Sequence, residues 1–347
     1  MAEITKRGEI HELNWIRGIS ALCIVLYHYT TQYQSSIGHV TSWPVMVPWG
    51  CGAVNVFFLL TGFLTIYALK MGSSPIQFIW KRAKRLYPAY WICIMITSIT
   101  MALFLPEYLR DTKTILINFT MLQNFVGITN VDGVYWTLSY ELIFYFYVAI
   151  FLLFKKATVK WIRNLAIAWI AVSFMFYALE KFGVSNALMT VAKLVLMPYF
   201  TAPFAGGMLL ATISKEQKRN YISYVGVCAS VVLSFIVQEL SYSVLYCIAV
   251  ALLVLTVEMR FIVKNQKYLI IIDKTNNYLT PLNLVAGISY PLYLLHQFIG
   301  FSIIKHLEGF GLTSEVFIIV PIAITLCLAF VVQKSVDRLM MMGNRRT

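Results

Sequence analysis

The sequence predicts an all-α polytopic membrane protein of about ten transmembrane helices with both termini in the cytoplasm. Hydrophobic residues fill 59% of the 347 positions and charged residues only 12%, and the mean hydropathy is +0.73, far from the composition of soluble domains. Apolar stretches of about 20 residues, enough to cross a ~30 Å hydrocarbon core as helices, recur along the whole chain. Lysines and arginines gather in alternate connections between these stretches, the positive-inside pattern. The formal charge of +13 is therefore read as topology. Neither a continuous basic arm nor an RNA-type aromatic motif accompanies it, so a nucleic-acid partner is not expected.

Taken in order, the predicted spans are 14–33, 47–69, 86–105, 135–154, 161–180, 191–213, 221–238, 241–259, 283–304 and 315–335. The first, NWIRGISALCIVLYHYTTQY, keeps Arg17 and lacks a small-residue cleavage site, so it reads as a retained span and not as a removed leader. Lys6 and Arg7 precede it on the inner side. The connection to the third span carries Lys70, Lys81, Arg82, Lys84 and Arg85. Later inner connections carry Lys155, Lys156, Lys160 and Arg163, then Lys215, Lys218 and Arg219, then Arg260, Lys264, Lys267 and Lys274. Lys334, Arg338, Arg345 and Arg346 close the series, while Arg110, Lys113, Lys181, Lys193 and Lys305 fall on the other side. Spans seven and eight are separated only by the short turn 238–241. The longest non-membrane pieces are 106–134 outside and 260–282 inside. The inner one contains YLIII, too short to span and expected at the interface. There is no internal repeat, and residues 1–347 read as a single membrane-embedded domain with no appended soluble domain. The six cysteines (Cys23, Cys51, Cys93, Cys228, Cys247, Cys327) are scattered through apolar stretches without a CxxC, as packing residues are.

Arg17 and His28 mark the first span as unusual. Eleven residues at ~100° each make three turns plus about 20°, so the two side chains share a face about 16 Å apart along the axis. Ionisable groups inside a membrane are costly and point to function. Imidazole titrates near neutrality and can act as a general base or be acylated itself. Glu141 in the fourth span needs a partner there, with His28, Arg17 or a sugar hydroxyl as the candidates. In the ninth span Ser289, Tyr293 and His296 fall at i, i+4 and i+7, a polar stripe on an apolar helix. Asn55 and Thr61 are expected to bond neighbouring helices. The five histidines show no metal-ligand spacing, and no metal is expected.

Five stretches together resemble the acyltransferase-3 family of integral membrane acyltransferases, whose members mostly O-acylate bacterial glycans. Arg17-Gly18, Ala21, Val25 and His28 resemble its R-G-x-x-A-x-x-V-x-x-x-H opening. Gly50 to Leu64 (GCGAVNVFFLLTGFL) is similar to G-x-x-G-V-x-x-F-F-x-x-S-G-F-L, with Thr61 in place of Ser. Phe78 to Pro88 (FIWKRAKRLYP) looks like F-x-x-R-R-x-x-R-x-x-P, with Lys81 as a departure that leaves Arg82 and Arg85 as the matched pair. Trp136-Thr-Leu-Ser139-Tyr-Glu141 with Phe144 and Tyr145, and Gly287-Ile-Ser289-Tyr290-Pro-Leu-Tyr293-Leu-Leu-His296, complete the set in order. Two places depart further: 197–203 has no Arg or Glu upstream of Gly206-Gly207, and Asp337-Arg338 matches the family's end poorly.

The resemblance implies transfer of an acetyl or other short acyl group from cytoplasmic acyl-CoA, with acetyl-CoA as co-substrate, to a hydroxyl of a cell-surface glycan or its lipid-linked precursor. Arg82 and Arg85, three apart on one helical face, would grip the CoA phosphates, and Arg17 would line the path. His28, ~20 Å into its helix, lies at the reach of a pantetheine arm of ~15–20 Å. Glu141 would orient or polarise the imidazole. Trp136, Ser139, Ser289, Tyr290, Tyr293 and His296 would bind the acceptor. The expected setting is the bacterial inner membrane, among lipids, with direct transfer or hand-over to a separate periplasmic partner both open. A second reading, from another class, is a secondary transporter using Arg17, His28, Glu141 and His296 as a relay.

Overall fold

The structure is a computed structural model, and it describes residues 10–40, 45–154, 158–184, 187–311 and 316–344. Lys6, Arg7, Lys155, Lys156, Arg345 and Arg346, counted above as inner charges, lie outside the described residues. All regular elements in the described residues are helical. The longer ones are α1 (His11–Tyr27), α3 (Ala53–Ala68), α4 (Pro75–Phe104), α6 (Trp136–Leu153), α7 (Val159–Lys181) and α8 (Ala187–Leu196). They continue with α9 (Thr201–Glu216), α10 (Tyr221–Val237), α11 (Leu240–Val257), α12 (Gln266–Tyr278), α13 (Thr280–Gly309) and α14 (Val316–Asn344). Two short helices, α2 (Tyr33–Ser36) and α5 (Thr112–Asn118), belong to the outer connections.

Each predicted span is found as helix, and eight helices among the described residues are long and apolar enough to cross a membrane. The other two fall short for different reasons. α10 is apolar but has 17 residues; α1 continues through a π-turn at His28–Gln32 into α2 and is long enough, but Glu12, Arg17, His28 and Gln32 keep it less apolar than the other spans. The span expected as continuous over 191–213 is broken. Met197 adopts a left-handed backbone with φ 50°, and Pro198 follows it with no N–H to offer, so α8 stops and α9 restarts at Thr201. The carbonyls freed by the break are taken by side chains: Trp169 donates its indole N–H to Leu196 O at 2.7 Å, and Tyr147 donates to Val195 O. Irregular backbone at membrane depth survives on such partners. The YLIII stretch lies in α12, whose Ile270 and Ile271 are exposed beside Lys267 and Lys274, as expected of an interfacial helix.

Two groups of helices meet along a seam. On one side α3 lies on α9, with α7 and α10 also against α9; on the other α13 holds α1, α4 and α14. α9 is buried along nearly its whole length. It can approach α3 closely because a Cβ on Gly207 would strike Leu59 O, and one on Gly62 would strike Phe204 O. On the other side the ring of Tyr29 fills the notch left by Gly300, while its hydroxyl donates to His296 O at 3.0 Å. At the outer end Glu308 pairs with His39 at 2.9 Å, both side chains almost fully buried, and accepts from Tyr33 Oη at 2.9 Å. At the inner end Glu12 pairs with Arg260 at 2.8 Å and accepts from Tyr268. Outside the membrane, Asp111 caps α5, and the Thr114 N–H and hydroxyl hold its carboxyl below the usual carboxylate range. The six cysteines are free thiols.

The α3–α9 contact sets the first prediction. Gly207→Val should destabilise the protein by about 1–3 kcal/mol or abolish insertion, because overpacking here meets backbone. Gly287→Ala, whose Cβ would meet nothing within 4 Å, should leave thermal unfolding in detergent unchanged. Equal stability of both variants would contradict the packing.

Candidate functional site

The cavities follow the seam. At the inner end, Lys70, Lys81, Arg82, Gln77 and Ser73 line a basic cleft. Lys215 stands beside it, donating to Leu69 O at 2.8 Å. Next comes a cavity lined by Arg17, Arg85, Glu141, Thr61, Ser289 and Tyr290 among others. Above it lies the cavity of His28, with Tyr27, Cys51, Trp136 and Gln297. Val54 and Tyr293 belong to both of these, so the two are adjoining compartments. A further outward hollow shares Cys51, Val54 and Trp136 with the His28 cavity and adds Asn55, Tyr199, Gln238 and Tyr242.

Helix direction explains the order. α6 descends from outside to inside and passes Trp136 at the His28 cavity, Glu141 at the arginine cavity and then Tyr145, buried under the guanidinium of Arg82. α13 ascends and presents Ser289 and Tyr290, then Tyr293, then His296 and Gln297. The steps are each about one to one and a half turns, ~4–8 Å of rise.

Arg82 and Arg85 do not act as one fork. Arg85 enters the cavity of Arg17 and Glu141, while Arg82 lines the cleft below and lies over the rings of Phe78 and Tyr145, 5.3 and 5.0 Å from their centroids. At ~300° of separation they share a broad face but diverge by 60°, enough to point into neighbouring compartments. Glu141 does not reach His28. Its carboxylate accepts from Tyr145 Oη and faces the two arginines.

The group against His28 is His296. Its Nε2 lies 3.1 Å from His28 Nδ1, with the rings edge to face at 82° and centroids 4.6 Å apart. The hydrogen-bond network assigns the protons. His296 Nδ1 faces two carbonyl acceptors, Leu292 O at 3.1 Å and Tyr293 O at 2.9 Å, and so carries a hydrogen. Its Nε2 is then a lone pair in the neutral ring. His28 Nδ1, facing that lone pair and Ile24 O at 2.9 Å, must be the donor. The consequence is that His28 Nε2 bears a lone pair. His296 is fully buried, and its own backbone is tied to α1 by Tyr29, so the pair is fixed from both helices. The π-turn begins at His28, a widening common at functional sites.

The other expected residues divide. Trp136 lines the His28 cavity and packs edge-on against Phe58. Ser289 and Tyr290 line the arginine cavity, with Tyr290 Oη donating to Leu86 O at 3.2 Å. Tyr293 donates to Val134 O at 2.8 Å and holds α13 to the start of α6. Ser139 is the exception: it is buried away from the cavities and accepts from Asn124 Nδ2 at 2.9 Å, closing the outer loop. Three residues past Trp136 it stands only about 60° round the helix, but there its hydroxyl meets Asn124 Nδ2 and Met121 O of the outer loop instead of a cavity. Asn55 bonds Gln238 across helices, as expected of a polar residue between spans. Tyr145, Gln297 and Cys51 were not singled out as site residues by the sequence, although Tyr145 and Cys51 lie within matched family stretches and Gln297 is next to His296. Among the described residues no group of three His, Cys, Asp or Glu side chains could hold a metal.

With this geometry in view, comparison with known proteins is informative. The family described as "Acyltransferase domain" matches residues 10–332. A similar protein is "Exopolysaccharide production protein ExoZ" of Rhizobium meliloti (strain 1021), 28% identical over 105 residues, which are 28% of this chain and 32% of that one. The match thus spans about a third of that relative. No solved structure matches.

The proton assignment is itself testable. ¹⁵N NMR of histidine-labelled protein should show His28 as the Nδ1–H tautomer. His296→Phe should leave that tautomer in place, because Ile24 O still takes the hydrogen, but should move the His28 Nδ1 and Nδ1–H resonances as the second acceptor is lost, with the fold kept. A His28 spectrum indifferent to His296 would refute the pairing.

Proposed function

The chain belongs to the acyltransferase family matched across residues 10–332, and we propose that it is an O-acyltransferase of the bacterial inner membrane. It moves an acetyl or other short acyl group from cytoplasmic acyl-CoA to a hydroxyl of a cell-surface glycan or its lipid-linked precursor. The observation that carries this reading is the His28 Nε2 lone pair, set by Ile24 O and His296 and placed in a cavity that adjoins the arginine compartment on its inner side. A base without an anion-binding approach, or the approach without a base, would support it less.

The residues divide the work along the seam. Lys70, Lys81 and Arg82 at the cleft, with Arg85 and Arg17 above them, offer the cationic donors that phosphates require. A pantetheine arm of ~15–20 Å can bridge from this level to His28. Glu141, held by Tyr145, balances the charge between the two arginines rather than acting on the imidazole. In the transfer, His28 Nε2 takes the proton of the acceptor hydroxyl. The oxygen attacks the thioester carbon, the carbon–sulfur bond breaks, and the departing CoA sulfur receives the proton from His28. Ile24 O and His296 hold the ring in the required tautomer, as orienting groups do for catalytic imidazoles. Trp136 and the outward hollow stand on the side from which the acceptor arrives. The name of the Rhizobium relative supports a polysaccharide as that acceptor.

The decisive experiment compares base-labile acyl esters on the surface polysaccharide of a deletion strain complemented with the native chain or with His28→Ala. The ester should return only with the native chain, the variant losing about 10²–10⁴-fold in transfer; esters unchanged by deletion would overturn the reading. Arg85→Ala should raise the KM for acetyl-CoA about 10- to 100-fold, the loss of one charge-assisted hydrogen bond. A KM that does not move would remove Arg85 from the donor site.

A further inference from the structure

The His28 cavity holds polar groups that the reaction above leaves unused. Most of its donors are committed. Tyr27 Oη donates to Gln32 Oε1 at 2.8 Å, Gln32 Nε2 to Ser36 Oγ at 2.9 Å, and Tyr293 Oη to Val134 O at 2.8 Å. Gln297 is different. It lines this cavity from α13, one residue beyond His296, and is 8% exposed. Its Oε1 is buried with no hydrogen-bond partner among the described residues. The oxygen can only accept, so it cannot serve a carbonyl; the NH₂ of the same amide likewise has no hydrogen-bond partner among the described residues and is the group left to donate. The amide also has room made for it. Gly133, at the mouth of α6, is the residue beside it, and a Cβ there would come within 3.2 Å of Oε1 and 3.4 Å of Nε2.

We propose that the Gln297 side-chain amide donates a hydrogen bond to the carbonyl oxygen of the acyl thioester beside His28 and stabilises the negative charge that develops there during transfer. The inference rests on the acyltransferase reading and names a further group at the same site. The chemistry requires such a donor. When the acceptor oxygen attacks, the carbonyl π pair moves onto oxygen, and it returns as the carbon–sulfur bond breaks. Nothing is consumed, and the donor need only be in place beforehand. In a cavity walled by Ile24, Val54 and Val134, bulk water is a poor substitute, and a pre-aimed N–H contributes more than it would in solution. With Oε1 turned to the wall, the NH₂ is left for the cavity. Helix α13 thereby supplies two adjacent functions: His296 holds the base, and Gln297 receives the charge.

The test uses the full chain in nanodiscs, acetyl-CoA as donor, and base-treated surface polysaccharide from the producing strain as acceptor, with release of CoA thiol as the readout. Gln297→Met keeps the shape and removes the donor; kcat should fall about 10²–10³-fold with the KM for acetyl-CoA unchanged. Gln297→Glu should be slower still, because a carboxylate would oppose the developing oxyanion, an order that a purely structural role would not give. Gly133→Ala, which displaces the amide without altering it, should lower kcat in the same direction and guards against misfolding of the first variants. Infrared spectra of bound [1-¹³C]acetyl-CoA should show the carbonyl band lowered in the native protein and restored toward its free position in Gln297→Met. If the native chain turns over acetyl-CoA and Gln297→Met matches it in kcat, the inference is wrong and the acyltransferase reading stands. If the native chain itself releases no CoA, the acyltransferase reading falls and the inference with it.

Discussion

A hydrogen bond between two imidazoles on different helices is the contact on which the site depends. His28 and His296 come from opposite ends of the chain and meet only because α1 packs on α13. Each ring is tied by its own Nδ1 to a carbonyl one turn back in its own helix, so neither can rotate without losing a bond in an apolar setting. That constraint fixes a lone pair on His28 Nε2, and with it the chemistry the cavity can perform. The neighbouring Tyr29 locks the same crossing by filling the place of a missing Gly300 side chain.

The bilayer imposes the rest. Each polar group carried into the seam must find a partner or serve a purpose. Asn55 finds Gln238, Glu141 finds Tyr145, and Glu308 finds His39 and Tyr33. The broken helix at Met197 follows the same rule, since Tyr147 and Trp169 return to it the hydrogen bonds that the backbone gives up. Among the groups that line the cavities, those left without a protein partner in the described residues include the arginines of the inner compartment, the second nitrogen of His28 and the amide of Gln297.

Tight backbone contacts give this arrangement its rigidity. Glycines at 62 and 207 bring α3 against α9 and form one wall of the seam, and Gly18, whose Cβ would stand 2.6 Å from Leu282 O, brings α1 against α13 to form the other. Beside these walls α6 runs in the direction opposite to α13. Residues spaced by about one to one and a half turns on each helix are thereby sorted into successive compartments, from a basic entrance to an outer hollow.

The sequence by itself determined the all-helical membrane architecture, because hydropathy over about 20 residues is a property of local composition. It also determined which ionisable residues were out of place: Arg17, His28, Glu141 and His296 stand out against their apolar neighbours without any fold being known. Their pairing was not legible. Glu141 was expected to orient His28, with Arg17 or a sugar hydroxyl as the other candidate partners, and it lies with Arg17 and Arg85; Ser139, close to Trp136 in sequence, bonds Asn124 instead of lining a cavity. Arg82 and Arg85 looked like one fork from their spacing and serve two compartments. Pairing between spans depends on the direction, depth and rotation of each helix about its axis, and only packing sets these. For that reason the tertiary structure alone decided that the partner of His28 is a second histidine from a helix 268 residues away in the chain.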